Sequence, residues 1–342
     1  MAIAANDIFD IIYAMKITVL ALNGVFDTGL AAVLDTFTTA NELAAMQQLD
    51  LRFDLRVTGM RRRVRTGLGL QVPVTSSGAP ECPDWVVVPA LGTKMPEALL
   101  NALAQREVRD AVEQLRTWHA GGAGIAAPYI GGFVLAESGL LSGHEATTTW
   151  WLGPLFRQRY PEVRLDESRM LVPSGPFVTS GAAIGHLDLA LWLVQQASPE
   201  LAALVARYLI VDARPSQAPY IIPDHLAHAD PLVQRFERWA RGRLADGFSL
   251  DAAAQALATS KRTLQRRLEA VIGKSPLSYV QDLRVERALH LLRTSHADIE
   301  AIAAQVGYAD GVTLRSLLRR RLGQGVRQLR TGRHARPMAK GA

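Results

Sequence analysis

One stretch decides the fold of the rear third of this chain: Ser249-Leu-Asp-Ala-Ala-Ala-Gln-Ala-Leu-Ala-Thr-Ser-Lys-Arg-Thr-Leu-Gln-Arg-Arg-Leu268. Ser249 and Ser260 each stand before residues with helical spacing, so each hydroxyl can accept hydrogen bonds from the first turn of a helix. The pattern predicts two short helices joined by a tight turn, the second with basic residues on one side and leucines on the other. This layout is typical of a helix-turn-helix whose second helix enters a DNA major groove.

The same pattern recurs 49 residues later. Three apolar positions keep their spacing, since Leu250, Ala254 and Leu257 are matched by Ile299, Ala303 and Val306. Gly307–Asp310 then precede a second basic helix predicted over Gly311–Leu322. A connecting helix predicted from Pro276 to about Arg293 would place the two units about one DNA turn apart, roughly 34 Å. A single basic cluster would favour a solvated helix face, but two in a spaced repeat favour DNA contact.

The predicted DNA contacts lie at the exposed start of each second helix. They are Ser260, Lys261, Arg262, Gln265 and Arg266 in the first unit and Gly311, Thr313, Arg315, Ser316 and Arg319 in the second. Most contacts in such interfaces go to phosphate groups, so roles in base recognition stay open for each residue.

Charge is divided unevenly along the 342 residues. Residues 231–342 hold 21 of the 38 Lys and Arg residues but only 9 of the 32 Asp and Glu residues, a formal net charge of +12. The preceding residues sum to −6. This asymmetry predicts a polyanionic partner for the rear third alone.

Composition also excludes several kinds of protein. No apolar run approaches the roughly 20 residues that a membrane helix needs, and the start of the chain lacks the basic region of a signal peptide. Cys82 is the only cysteine, which excludes an intrachain disulfide and a multi-cysteine metal site. We expect a soluble cytoplasmic protein, associated with the nucleoid, without a metal, a cofactor or a membrane partner.

The front half alternates between apolar strands and helices. Strands are predicted at Met15–Ala21, Leu51–Met60, Asp84–Gly92, Gly124–Pro128, Glu145–Trp150, Leu165–Pro173 and Phe177–Ser180, with helices at 30–46, 99–119, 130–138, 183–196 and 198–208. Such alternation without hairpin signals predicts crossover connections and a parallel sheet covered on both faces. Arg61–Pro83 is predicted as turns and an exposed loop.

Residues from about 230 to 330 resemble the DNA-binding domain of AraC/XylS-type regulators. The matching segments are Ser260–Leu268, Gly273-Lys-Ser-Pro276, Leu283-Arg-Val-Glu-Arg-Ala288 and Gly307-Tyr-Ala-Asp310. The second unit departs from the family at Val312 and Leu314, where a serine and an aromatic residue are common, and at Gly323-Gln-Gly-Val326. We therefore expect the first unit to dominate sequence specificity.

Residues 15 to about 197 resemble the DJ-1/PfpI-like, class I glutamine-amidotransferase-like domain of the GlxA-like subgroup. The matching segments are Asp84-Trp-Val-Val-Val-Pro89, Gly131–Leu141 and Ala146-Thr-Thr-Thr-Trp150. The implied fold class is an α/β domain, with a flavodoxin-like parallel sheet sandwiched by helices, followed by an all-α domain with two helix-turn-helix units.

The resemblance implies an inactive relative of these enzymes. Where active members carry a nucleophilic cysteine at the sharp strand-to-helix turn, this chain has Tyr129, and the histidine partner is Thr149. A phenol with an ordinary pKa of about 10 is a poor acyl-transfer nucleophile. The same turn still offers outward N–H groups near Gly131 and Gly132 for an anionic effector. The expected effector contacts are Asp35, Tyr129, Ile130, Gly131, Thr149 and Trp150; core packing is the alternative for Tyr129 and Trp150, and a surface position for Asp35.

The implied function is a ligand-responsive transcription regulator, in its family mostly an activator. It would dimerise through its front half, bind promoter DNA, contact RNA polymerase and respond to an amine or amino-acid catabolite. Two alternatives stay open: a hydrolase-type enzyme tethered to DNA and a ligand-independent DNA-binding protein. The expected divisions are an extension (1–14), the effector and dimerisation domain (15–197), a connecting helix and linker (198–229), the DNA-binding domain (230–330) and a disordered basic tail (331–342).

Overall fold

A computed structural model describes most of the chain. The described residues are 13–76, 82–212, 214, 216–217, 230–322 and 325–331. The expected extension before residue 13, most of the linker and the tail beyond Thr331 lie outside them. The described residues form two compact units, one within 13–152 and 160–217 and the other within 153–159 and 230–331.

A parallel sheet forms the centre of the first unit. The strands of this unit are β1 (Tyr13–Ala21), β2 (Leu51–Gly59), β3 (Val64–Arg65), β4 (Gln71–Val72), β5 (Thr75–Ser76), β6 (Trp85–Val87), β7 (Gly124–Pro128), β8 (Glu145–Ala146), β9 (Arg164–Leu165), β10 (Leu171–Ser174) and β11 (Phe177–Ser180). Within the described residues, seven of them pair in the order β10-β11-β7-β6-β1-β2-β5. Every pair in this sheet is parallel except β10 with β11.

Helices cover this sheet in two groups. The first seven helices of the chain are α1 (Asp27–Met46), α2 (Pro96–Leu103), α3 (Arg106–Ala120), α4 (Gly131–Glu137), α5 (Gly153–Arg159), α6 (Gly185–Ala197) and α7 (Pro199–Tyr208). Helices α1, α6 and α7 pack together, as do α2, α3 and α4, whereas α5 belongs to the second unit. Every residue of β7 is buried, because α3 and α4 as well as α6 pack on it.

The long helix α1 packs on the sheet through one apolar face. Val33, Phe37, Ala40 and Ala44 follow one another at helical spacing and are at most 1% exposed, so they form one apolar stripe. The Phe37 ring packs against the ring of Phe53 on β2, with centroids 5.3 Å apart. The stripe thus fixes α1 on the sheet and places its first turn at the carboxyl ends of the parallel strands.

Several local predictions for the front half are wrong. The antiparallel hairpin of β10 and β11 was not expected, although Gly175-Pro176 between two short strands is a turn signal; Gly175 has φ +61°. The predicted loop Arg61–Pro83 contains β3, β4 and β5, and such two-residue strands are too short to show periodicity. The single helix predicted over 99–119 is two helices separated at Ala104 and Gln105. Of the strand predicted over Glu145–Trp150 only β8 forms, followed by a 3₁₀ turn at Trp150–Leu152.

The second unit is helical. Besides α5, which packs on α10, its helices are α8 (Pro231–Arg241), α9 (Leu250–Ala256), α10 (Lys261–Ile272), α11 (Pro276–Thr294), α12 (Ile299–Gln305), α13 (Gly311–Leu322) and α14 (Val326–Thr331). The predicted caps are confirmed: the Ser249 hydroxyl accepts from the Ala252 N–H at 3.3 Å and the Ser260 hydroxyl from the Thr263 N–H at 3.0 Å. The predicted fold class, an α/β domain followed by an all-α domain with two helix-turn-helix units, is confirmed.

The connecting helix α11 lies close to its predicted position. Val280, Leu283, Ala288 and Leu292 are buried on one side of the helix. Leu277, in its first turn, is 50% exposed.

Candidate DNA-binding surface and effector site

The first helix-turn-helix consists of α9 and α10. Between them the chain turns at Ala258, which has φ +50°, a left-handed conformation that is uncommon for a residue other than glycine. On α10, the side chains of Leu264 and Leu268 are 0% exposed. Their burial turns Arg262, Gln265 and Arg266, which are all exposed, away from the core.

The second helix-turn-helix, α12 and α13, has the same construction with different residues. Its turn is at Gly307, with φ +81°. Asp310 occupies the position of Ser260: one carboxylate oxygen accepts from the Thr313 N–H at 2.7 Å and the other from the Thr313 hydroxyl at 3.2 Å. These hydrogen bonds lower the pKa of the Asp310 carboxyl.

The two recognition helices match position by position with an offset of 50 residues. Their buried positions are the same, because Leu314 and Leu318, like their counterparts on α10, are 0% exposed. Their exposed positions differ: Arg262, Gln265 and Arg266 are matched by Val312, Arg315 and Ser316. Leu314, a departure from the family pattern, therefore belongs to the core, whereas Val312 lies on the surface that would face DNA.

Of the predicted DNA contacts, most lie on these two exposed faces. Lys261 pairs with Asp251 at 2.8 Å and Arg315 with Glu300 at 3.8 Å, but all four side chains are at least half exposed. Exposed pairs of this kind contribute little, so both cations can exchange a carboxylate for a phosphate. Ser316 and Arg319 are exposed.

Two of the predicted contacts have local roles as well. The Ser260 hydroxyl caps α10. Gly311 is buried, and its N–H donates to the Glu300 carboxylate at 2.6 Å. A Cβ at this position would lie 2.5 Å from Glu300 Oε1, so any larger residue would displace this carboxylate from the N–H that it accepts from.

In the first unit, Tyr129 lies at the sharp turn between β7 and α4. It has φ +57° and is 2% exposed. A bulky residue in this backbone region is strained and persists only where its surroundings hold it. Here the Tyr129 N–H donates to Ser180 O at 2.7 Å, and the Thr148 hydroxyl donates to Tyr129 O at 3.2 Å.

The backbone of this turn packs tightly against the backbone at Val88. A Cβ at Gly131 would lie 2.0 Å from Val88 O, so only glycine fits. The Gly132 N–H donates back to Tyr129 O at 3.4 Å, whereas we expected it to point outward. The Gly132 N–H is therefore engaged within the turn, not free for an anionic ligand.

Aromatic side chains surround the Tyr129 ring. Its centroid lies 6.0 Å from that of Phe26, 5.8 Å from that of Trp151 and 6.4 Å from that of His186. Burial raises the pKa of Tyr129 to about 12. The phenol therefore stays protonated at neutral pH and is a poorer nucleophile than an exposed tyrosine.

His186 lies beside Tyr129 as a neutral, fully hydrogen-bonded side chain. Its Nε2 accepts from the Ala90 N–H at 3.1 Å, so the proton is on Nδ1, 2.6 Å from Ala183 O. Burial lowers its pKa to about 4. Both nitrogens are occupied, and neither can serve as a general base for Tyr129. A Cβ at Gly29 would lie 2.4 Å from Nε2, so α1 can approach the ring only through a glycine.

Thr149 is the predicted effector contact with the most unusual environment. It is 0% exposed, and its hydroxyl has no hydrogen-bond partner among the described residues. Its neighbours Thr147 and Thr148 are both hydrogen-bonded to Gln217. A buried hydroxyl without a partner is rare in native proteins and destabilising.

Tyr129, Ile130 and Gly131 share one turn, and Tyr129 contacts Thr148 and Trp151, the chain neighbours of Thr149 and Trp150. Asp35 lies on the exposed side of α1. An acidic residue that neighbours the aromatic cluster in sequence is Asp27, which follows Phe26. One carboxylate oxygen of Asp27 accepts from the Leu68 N–H at 3.1 Å, and the other is buried without a partner among the described residues. Asp35 was assigned from the family resemblance, and sequence reasoning missed Asp27, although an acidic residue at a helix start is itself a local signal.

A family model described as a helix-turn-helix domain matches residues 253–332. The chain is 35% identical over 108 residues to the HTH-type transcriptional activator RhaS of Escherichia fergusonii, a match over 32% of this chain and 39% of RhaS. This chain has an AraC-type helix-turn-helix domain. The resemblance expected for the rear third is thus confirmed.

A longer match extends beyond this AraC-type domain. The chain is 27% identical over 216 residues to the HTH-type transcriptional regulator ArgR of Pseudomonas aeruginosa, covering 62% of this chain and 65% of ArgR. It thus spans about two-fifths of the length of RhaS and somewhat less than two-thirds of ArgR.

Two solved structures were also similar. One is an AraC family transcriptional regulator from Pseudomonas putida, with 20% identity, coverage of 57% of this chain and 99% of that chain, and a TM-score of 0.48. The other is Drosophila melanogaster DJ-1beta, with 21% identity, coverage of 58% and 100%, and a TM-score of 0.47. Among the described residues, no helix is long and apolar enough to cross a membrane, and His, Cys, Asp and Glu form no group of three or more suited to a metal.

Proposed function

We propose that this protein is a sequence-specific, DNA-binding transcription regulator controlled by a small molecule bound in a catalytically inactive front domain. The observation that carries the proposal is the pair of recognition helices, which bury the same leucines and expose polar, mostly basic faces. The proposal includes a cytoplasmic, nucleoid-associated homodimer that binds promoter DNA and contacts RNA polymerase as an activator. The front domain would correspond to residues 15–197 and the DNA-binding domain to residues 230–330.

The charge distribution supports the DNA-binding part of this proposal. Cations on both recognition helices are exposed, and their ion pairs are weak enough to be replaced by phosphate contacts. The buried leucines hold each helix so that its N-terminal turn, which contacts base edges in this class of domain, faces solvent.

A gel-shift titration of the full chain on DNA upstream of its own gene tests this part. Replacing Arg262 and Arg266 together by alanine removes two exposed guanidinium groups, and we expect the dissociation constant to rise at least tenfold. The matched control replaces Arg287 and Arg293, which are exposed on α11, and should change it by no more than about threefold. Equal effects of the two double variants would contradict the assignment of α10 as a recognition helix.

Buried polar atoms without partners support an effector near Tyr129. The Thr149 hydroxyl and one Asp27 oxygen have no partner among the described residues. Thr149 follows Thr148, whose hydroxyl donates to Tyr129 O, and Asp27 follows Phe26 of the aromatic cluster. A ligand with polar groups would compensate for their burial. We propose an amine or an amino-acid catabolite, the class implied by the resemblance. The ligand can control DNA binding only if it binds the active and inactive arrangements unequally.

Thermal-shift measurements against amines, amino acids and their catabolites test the effector site. A true effector raises the melting temperature by mass action. In Thr149→Val, which keeps the shape but removes the hydroxyl, we expect this shift to fall by at least half. Without ligand the variant should melt at the same or a higher temperature, because an unpaired buried hydroxyl is lost. An undiminished shift in Thr149→Val would exclude Thr149 from the site.

The chemistry around Tyr129 favours a binding domain over the alternative of a DNA-tethered enzyme. The phenol has a raised pKa, and His186, with a pKa of about 4, has both nitrogens engaged. Cys82 precedes β6, whereas Tyr129 follows the carboxyl end of the neighbouring parallel strand β7. The one thiol is thus at the opposite edge of the sheet from the turn.

A further inference from the structure

Val312 is an exposed apolar residue on a surface where its neighbours are polar. It lies in the first turn of α13 and is 63% exposed. Among the large apolar side chains that the structure describes in the second unit, the exposed ones are Val312 and, at 50%, Leu277. Thr313, Arg315 and Ser316 occupy the surrounding exposed positions of the helix.

The core of this unit does not require a valine here. Leu314, Leu317 and Leu318 supply the apolar contacts of α13, and each is at most 6% exposed. A β-branched residue in a helix is also slightly unfavourable, because its side chain loses rotamer freedom. Packing and helix propensity therefore leave Val312 unexplained.

The internal repeat indicates what Val312 faces. Its counterpart at the start of α10 is Arg262, one of the predicted DNA contacts, and Arg315 and Ser316 are one helical turn further along the same face. The N-terminal residues of a recognition helix contact base edges in the major groove. Valine has no hydrogen-bonding group, and the apolar feature that bases present in this groove is the C5-methyl group of thymine.

We propose that Val312 packs on a thymine methyl group and gives the second helix-turn-helix its own base preference. The inference rests on the proposed DNA-binding function and deepens it. The first unit would use charged and amide side chains, which suit guanine and adenine, whereas the second would combine an apolar thymine contact with Arg315. The departure of Val312 from the family pattern then changes the sequence that this unit recognises.

The test uses full-length protein and DNA duplexes selected by it from a random library. Each thymine in the bound sequence is replaced in turn by deoxyuridine, which lacks only the methyl group. For the wild type we expect one replacement in the half-site of the second unit to raise the dissociation constant about three- to fourfold, the worth of one buried methyl group.

The Val312→Ala variant tests whether Val312 is the side chain that contacts this methyl group. The penalty for that same replacement should be clearly smaller, because the alanine side chain makes less contact with the methyl group, while the response at all other thymines stays as in the wild type. The matched control is Leu277→Ala, which removes the other exposed apolar side chain of the unit and should leave every response unchanged.

Two results would overturn the thymine contact. One is wild-type binding that no thymine replacement weakens, and the other is a penalty that persists undiminished in Val312→Ala. In both cases the chain still binds DNA, so the proposed function would stand. Failure of the full chain to select any duplex would instead remove the proposed function and this inference together.

Discussion

At the scale of single residues, the two helix-turn-helix units differ in the residue type at the turn between their helices. Ala258 and Gly307 both have a positive φ, but only one of them is glycine. A Cβ at Gly307 would lie 2.2 Å from Leu244 O and 2.7 Å from the guanidinium group of Arg284. Ala258, by contrast, is exposed.

Exchanging residue types at these turns should have opposite effects on stability. Ala258→Gly relieves left-handed strain of about 1 kcal/mol or more, partly offset by greater freedom of the unfolded chain. We expect the free energy of unfolding to stay level or rise by up to about 1 kcal/mol. Gly307→Ala adds both strain and a steric clash, and should lower it by more than about 2 kcal/mol. Urea unfolding followed by circular dichroism measures both, and similar values for the two variants would contradict this explanation of the turns.

Residue-scale prediction succeeded where the determinant is local. Ser249 and Ser260 cap their helices because a hydroxyl next to a helix start has its partners within three residues. The assignment of Asp35 as an effector contact could not be checked in this way, because proximity to Tyr129 depends on how α1 packs on the sheet. The pairing of His186 with Ala90, 96 residues earlier, has no local signal at all.

At the scale of elements, α11 does more than connect two recognition helices. Arg284, near its middle, is only 8% exposed. Its Nε donates to Leu244 O at 3.1 Å and a terminal nitrogen donates to Asp246 O at 2.6 Å, while its guanidinium carbon lies 5.3 Å from the centre of the Tyr308 ring. Arg284 thus joins the loop that leads into the first helix-turn-helix to the turn of the second.

We expect this contact to fix the spacing of the two recognition helices. Arg284→Lys keeps the charge but loses the planar fork and its stacking on Tyr308. In the wild type, one base pair inserted between the two half-sites of a selected duplex should weaken binding at least tenfold. In Arg284→Lys the penalty should shrink to about threefold, because the helices are less rigidly held. Arg287→Lys, on the exposed side of α11, is the control, and an unchanged penalty in a folded Arg284→Lys variant would contradict this role.

Elements with strong periodicity were predictable, and short ones were not. Helices α1 and α11 bury apolar stripes that their sequences display. Strand β5 has only two residues, and it is defined by its pairing with β2, which the local sequence does not reveal. The contact of Arg284 with Leu244, 40 residues earlier, also depends on the tertiary fold, so the sequence predicted a connecting rod but not the contact that locks it.

At the scale of the whole molecule, the charge distribution and the internal repeat were predictable, because both can be read directly from the sequence without knowing the fold. The rear third has a net charge of +12 and the rest −6, and the offset of about 50 residues between matching positions holds from the caps to the buried leucines. The departures at Val312 and Leu314 needed the structure for their interpretation, since one is exposed and the other is buried.

Two matched helices of one chain are expected to bind DNA together, and hydroxyl-radical footprinting of the full chain on its selected duplex measures this. We predict two protected segments centred about one helical turn, roughly 10 base pairs, apart. Protection of a single segment, or none at all, would contradict the account.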